Sequence, residues 1–106
     1  MSRYVNDIAT SKSADEVEHA LSDYFAGKGF TRQSYKHEDV WKKGHGLLQA
    51  PQFVKATPTD DHVHIEAWIK FAPLPGVYVG ETSTEAKLLP ARLLKKRVQE
   101  IETLLA

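Results

Sequence analysis

Three side chains with metal-ligand chemistry alternate along one short segment, His62-x-His64-x-Glu66, inside the run HVHIEAWIKF. His and Glu are ordinary zinc or iron ligands, and alternation would aim all three at the same side of an extended chain. His45 is the candidate fourth ligand. The arrangement has a physical cost, because same-side residues of a strand lie roughly 6.5–7 Å apart and one extended segment wraps a single ion poorly. A solvated polar face is the competing reading for His62, His64 and Glu66, and the leading expectation carries no metal and no cofactor.

A second constellation pairs aromatic and basic side chains. Trp41-x-Lys43 and Trp68-x-Lys70 each set a Trp and a Lys on one side of a strand. With both pairs on the open face of a sheet, they would give an apolar centre with a charged rim, as interfaces have. Stacking on single-stranded nucleic acid is the other chemistry this pairing offers. A loop of the same chain is the third possible cover for the two indoles. Tyr78, in the loop Ala72–Glu81, is a further candidate contact. Arg92, Lys95, Lys96 and Arg97 make a basic stretch, but Glu100 and Glu102 follow directly and Lys96 with Glu100 forms an i,i+4 pair, so a solvated helix face is expected. His19 is unpaired by spacing and is read as a rim histidine.

The signatures of common enzymes are missing from the sequence. It has no Gly-rich phosphate loop, no nucleophile elbow and no HExxH. Cysteine is absent, which excludes a thiol nucleophile, a Cys-based zinc site and a disulfide scaffold. Lys plus Arg and Asp plus Glu are both 14, so the basic excess of a duplex-binding protein is lacking and duplex nucleic acid is not an expected partner. Hydrophobic residues at 42% and charged residues at 26% fit a folded domain rather than a disordered chain. The segment MSRYVNDIATSKSADE has no apolar core of a signal peptide, and no apolar run reaches the length of a membrane span, so a cytoplasmic protein is the expectation.

The elements that position these residues follow from periodicity. HVHIEAWIKF alternates strictly, with Val63, Ile65, Ala67, Ile69 and Phe71 on one side. It is rich in β-branched residues and free of Gly and Pro, which predicts a central strand. Residues 1–12 are polar and are expected to be loosely held. Ser13 with Glu16 has the capping-box pattern, and Val17, Ala20, Leu21, Tyr24 and Phe25 recur at helical spacing, predicting a helix over about 14–26 that Gly27 and Gly29 end. Phe30–Lys36 and Asp39–Lys43 read as a hairpin, and Gln52–Thr57 as a third strand. Gly44–Pro51 and Ala72–Glu81 read as irregular loops, with Leu47 and Leu48 folded back on the core and Val77–Val79 as a possible edge strand. Pro90 suits a first helical turn, and Leu94, Val98, Ile101 and Leu105 predict a helix over about 90–105.

This order implies a single α+β domain over 1–106, in two layers. An antiparallel sheet of three to four strands carries an N-terminal and a C-terminal helix on one face, because both apolar stripes need cover and the sheet supplies it. The opposite face is left to water or to a partner.

The segments VWKKG (Val40–Gly44), GLL (Gly46–Leu48) and APQF (Ala50–Phe53), with WIKF (Trp68–Phe71) and LPGVYVGE (Leu74–Glu81), resemble an uncharacterised domain family of bacteria, mostly Gram-positive, whose longer members carry a zinc ribbon in front. The likeness covers about half the chain, in its middle. It implies a small intracellular α+β domain and no established activity. This chain lacks the Cys of a zinc ribbon. It also carries the polar ETSTEAK where the family has a Gly-rich apolar segment.

The expectation is therefore a binding or interaction module acting through the open sheet face and the two Gly/Pro loops. Trp41, Lys43, Trp68, Lys70 and Tyr78 are its contact residues. Its partner would be another protein or a second copy, or else a small ligand. The rivals are a small metal-dependent enzyme on the His-x-His-x-Glu strand and a single-stranded nucleic-acid binder.

Overall fold

The computed structural model describes residues 3–44, 51–70, 81–84 and 89–106. The expectations for His45, Leu47, Leu48, Phe71, Val77, Tyr78 and Val79 lie outside the described residues.

The segment HVHIEAWIK forms β5 (His62–Lys70) and is the hub of the sheet. The other strands are β1 (Tyr4–Ala9), β2 (Thr31–Tyr35), β3 (Glu38–Lys43), β4 (Gln52–Pro58) and the two-residue β6 (Glu81–Thr82). Every pairing is antiparallel and the order is β1-β5-β4-β3-β2, with β6 pairing the end of β5 beyond β1. The expected α+β class with an antiparallel sheet is therefore found, but among the described residues five strands lie side by side where three to four were expected. The difference is the N-terminus. Residues 1–12, expected to be loose, supply β1, which aligns Tyr4 with Ala67 and Ala9 with His62. Its sequence, YVNDIA, alternates too weakly to read as a strand, and pairing along the whole of β5 holds it there.

The helices are α1 (Ala14–Lys28) and α2 (Leu89–Leu105). Ser13 and Glu16 form the reciprocal cap: the Glu16 backbone N–H donates to Ser13 Oγ at 3.2 Å, and the Ser13 N–H donates to Glu16 Oε1 at 2.9 Å. The helix runs through Gly27 and stops at Gly29, whose φ of 80° is left-handed and lets its N–H reach back to the last carbonyls. The β2–β3 hairpin turns on Lys36 and His37, at φ 49° and 68°. Two positive φ values suit the twist of a two-residue hairpin, though neither residue is a glycine.

Both helices cover one side of the sheet. Val17, Leu21 and Phe25 from α1 and Ala91, Leu94, Val98, Ile101 and Leu105 from α2 are buried with Val63, Ile65, Ala67 and Ile69 of β5. No helix among the described residues is long and apolar enough to cross a membrane.

Candidate functional site

On the side of the sheet away from the helices, alternation brings forward His62, His64, Glu66, Trp68 and Lys70 of β5. Pairing sets Phe53 and then Lys42 in line with Trp68, Lys55 in line with Glu66, and Thr57 in line with His64. This side holds a small core of its own. Trp68, Phe53 and Val40 are buried and Tyr35 packs on them. The Phe53 and Trp68 rings stack with centroids 5.3 Å apart, and Tyr35 lies 4.7 Å from Phe53.

Arg3 roofs this cluster. Its guanidinium carbon lies 3.6 Å from the Trp68 ring centroid, a close cation–π contact. Its nitrogens donate to three carboxylates: Glu81 (2.8 Å to each oxygen), Glu38 (3.0 and 2.9 Å) and Glu66 (2.9 Å). The guanidinium fork matches carboxylate geometry in a way an ammonium does not. Lys55 Nζ adds a second cation at 2.8 Å from Glu38, and the Tyr35 hydroxyl donates to Glu81 at 3.1 Å.

The network continues through His64. Its Nδ1 lies 2.8 Å from Asp7 on β1 and its Nε2 lies 3.0 Å from Glu66. An imidazolium donates to both at once, so the Asp7 contact first, and Glu66 next, raise the His64 pKa above its ordinary value against a smaller opposing effect of burial. The carboxyls move the other way. Hydrogen bonds from Arg3 and then Lys55 hold Glu38 down to about 2. Arg3 likewise lowers Glu81. Burial pushes Glu66 up, but its hydrogen bonds from Arg3 and His64 together outweigh that and leave it lowered. The three carboxylates in turn raise the Arg3 pKa.

These positions decide what becomes of each candidate. Trp68 and Lys70 lie on the face opposite the helices, as expected, with Lys70 Nζ 5.6 Å from the Tyr35 ring. Trp68 is 0% exposed, so the chain itself covers the indole, and the expectation of a partner contact at this residue is corrected. Trp41 and Lys43 belong to the other side. Trp41 is opposite Val54, and Val54 opposite Ala67, so Trp41 shares the side of Ala67 and stacks on Phe25 at 4.9 Å. Lys43 Nζ donates to the Lys28 carbonyl at 2.7 Å, at the C-terminus of α1. The two Trp–Lys pairs therefore do not share a surface. The cause is parity: DVWKK reads equally well with Val40 or Trp41 inward, and only the pairing with β4 decides.

His62, His64 and Glu66 do share a face, but their polar atoms are turned to neighbours. His62 Nδ1 lies 2.9 Å from Asp61 and 3.0 Å from Thr59 Oγ1. Among the described residues, no group of three or more His, Asp or Glu side chains is disposed to hold a metal ion. The residues the sequence did not reveal are Arg3, Tyr35, Glu38, Phe53, Lys55 and Glu81. Phe53-x-Lys55 alternates as a face should, but Arg3 and Glu81 come from segments without a periodic signal.

No family model, no curated protein and no solved structure matches this chain.

Proposed function

We propose that this chain is a non-catalytic interaction module whose working surface is the sheet face opposite the helices, and that its partner there is another protein. One observation carries this reading: the charges of that face are bonded to one another across neighbouring strands. General acid–base catalysis at neutral pH calls for a carboxyl pushed up or a cation pushed down toward pH 7. Glu38, Glu66 and Glu81 are all pushed down, away from that range, with the Arg3 guanidinium bonded to each. Such groups transfer protons poorly and present a fixed pattern of charge well. Fixed, complementary charge gives an interface its specificity and its rate of encounter.

The separation of Trp41 from Trp68 weakens the single-strand reading, which needs aromatics in a row along one surface. The metal-dependent reading requires His64 to release a carboxylate before it can ligate.

The test is an amide-shift map of isotopically labelled protein titrated with fractionated extract of its host. The expected result is a perturbed patch over β2, β3 and the outward residues of β5, around Gln33, Lys42 and Lys70. Perturbation confined to α1 and α2, or a uniform absence of change across all fractions, would overturn it. Addition of zinc or of a single-stranded oligonucleotide to the same sample checks the two rivals.

A further inference from the structure

The helix layer has an outer surface that the reading above does not use, and charge on it is sorted. The outer side of α1 exposes Asp15, Glu16 and Asp23, whereas the first half of α2 exposes Arg92, Lys95 and Lys96. Two large apolar side chains stay in water on α2, Leu93 at 42% exposure and Leu104 at 40%. Leu104, Ala20 and Tyr24 floor a shallow groove of about 870 Å³ against α1, whose rim carries the three acids beside Lys12 and His19. Leu93 instead stands among the cations. Positions 93 and 104 are about three turns apart, so both lie on one side of α2, roughly 16 Å from each other.

We propose that this helix layer docks a second copy of the chain about a two-fold axis that crosses α2 midway between the two leucines. The α2 helices of the two copies run antiparallel. Leu93 of each copy, flanked by Arg92 and Lys96, seats in the acidic-rimmed groove of the other beside Leu104. The arrangement is satisfied at both ends at once, which is what a closed, isologous contact requires. An unrelated partner would need a basic apolar knob and an acidic groove at this same spacing; a second copy carries both. The balanced charge of the chain sets up no net repulsion against pairing.

Sedimentation of the full chain over a range of concentrations is the test. The expected result is a monomer–dimer equilibrium that shifts to monomer as salt is raised. Two variants sharpen it, Asp15→Lys/Asp23→Lys and Arg92→Glu/Lys96→Glu, each checked for an unchanged circular dichroism spectrum. Each alone should raise the dissociation constant by about tenfold or more, since like charges then meet. Mixed together they should form a heterodimer, because the basic groove of one now receives the acidic knob of the other. Leu93→Glu in the otherwise unaltered chain should give a monomer and does not depend on the charge variants. A monomer at every concentration in low salt would overturn the proposal. So would a dimer indifferent to all three changes, or mixed variants that stay apart.

Discussion

The two sides of this sheet solve the same problem with different materials. On one, Trp41 is partly buried and stacks on Phe25 at the edge of an apolar core that α1 and α2 close. On the other, Trp68 is fully buried where Trp41 is only partly so, and it lies beneath a guanidinium held by three carboxylates. The first side is stabilised by removing apolar area from water, an effect nearly blind to pH and salt. The second depends on ions that must stay charged and aligned, and removing one member leaves the rest half-buried and uncompensated. Among the described residues, a network of paired ions thus finishes the second face where helices finish the first.

The largest effects should come from the tryptophans themselves. Trp68→Ala should cost about 3–5 kcal/mol of stability by denaturant unfolding, and Trp41→Ala, at a partly buried site, somewhat less. The contrast lies in the conditions: the loss at Trp68, with Arg3 at 3.6 Å, should vary with pH and salt far more than the loss at Trp41, where the Arg32 guanidinium lies 5.1 Å from the ring. Equal behaviour of the two would erase the distinction. Next in size, Arg3→Met should cost about 2–4 kcal/mol near neutral pH, since three carboxylates lose a shared partner. That deficit should shrink as the carboxyls take up protons, so a deficit unchanged in acid would show that Arg3 acts through packing alone.

Acid and base should then separate two parts of the network. Glu38 falls from an ordinary 4.5 to about 2 on folding. Its contribution is complete above about 4.5 and is lost as pH falls through about 2. Glu66 and Glu81 shift in the same direction. His64 shifts oppositely, from an ordinary 6.5 upward. Its contribution is complete below about 6.5 and is lost as pH rises through its folded value. A thermal midpoint followed with pH should show both flanks, and Asp7→Asn should flatten only the alkaline one. The smallest effect concerns the hairpin. Replacing Lys36–His37 by Asn–Gly should raise stability by about 1 kcal/mol, because the left-handed turn is strained in the native pair. A loss of stability would mean that those side chains make contacts worth more than the strain.

Much of the helix-covered side was legible in the sequence. Val63, Ile65 and Ile69 alternate, Leu94, Val98 and Ile101 recur at helical spacing, and Ser13 with Glu16 marks a helix start that the structure keeps. These signals are local and periodic. The other side was legible only at β5, where Trp68, Glu66 and His64 stand on one face. Its remaining members are brought in by pairing between distant segments, for which one sequence carries no period. Trp41 shows the limit well: a strand of six residues has two possible parities, and a single misjudged register moves an indole from the helix-covered side of the sheet to the opposite one.

The Arg3 clamp also bears on the order in which the chain assembles. Its three carboxylates lie 35, 63 and 78 positions away along the chain. Closing contacts over such separations costs chain entropy before it returns any stability, so they form after the local helices and the β2–β3 hairpin. Arg3 is thus among the last residues to find its place. Loosening it should therefore leave the rate of folding nearly unchanged and quicken unfolding, which makes this one guanidinium a latch on the lifetime of the folded state rather than a guide toward it.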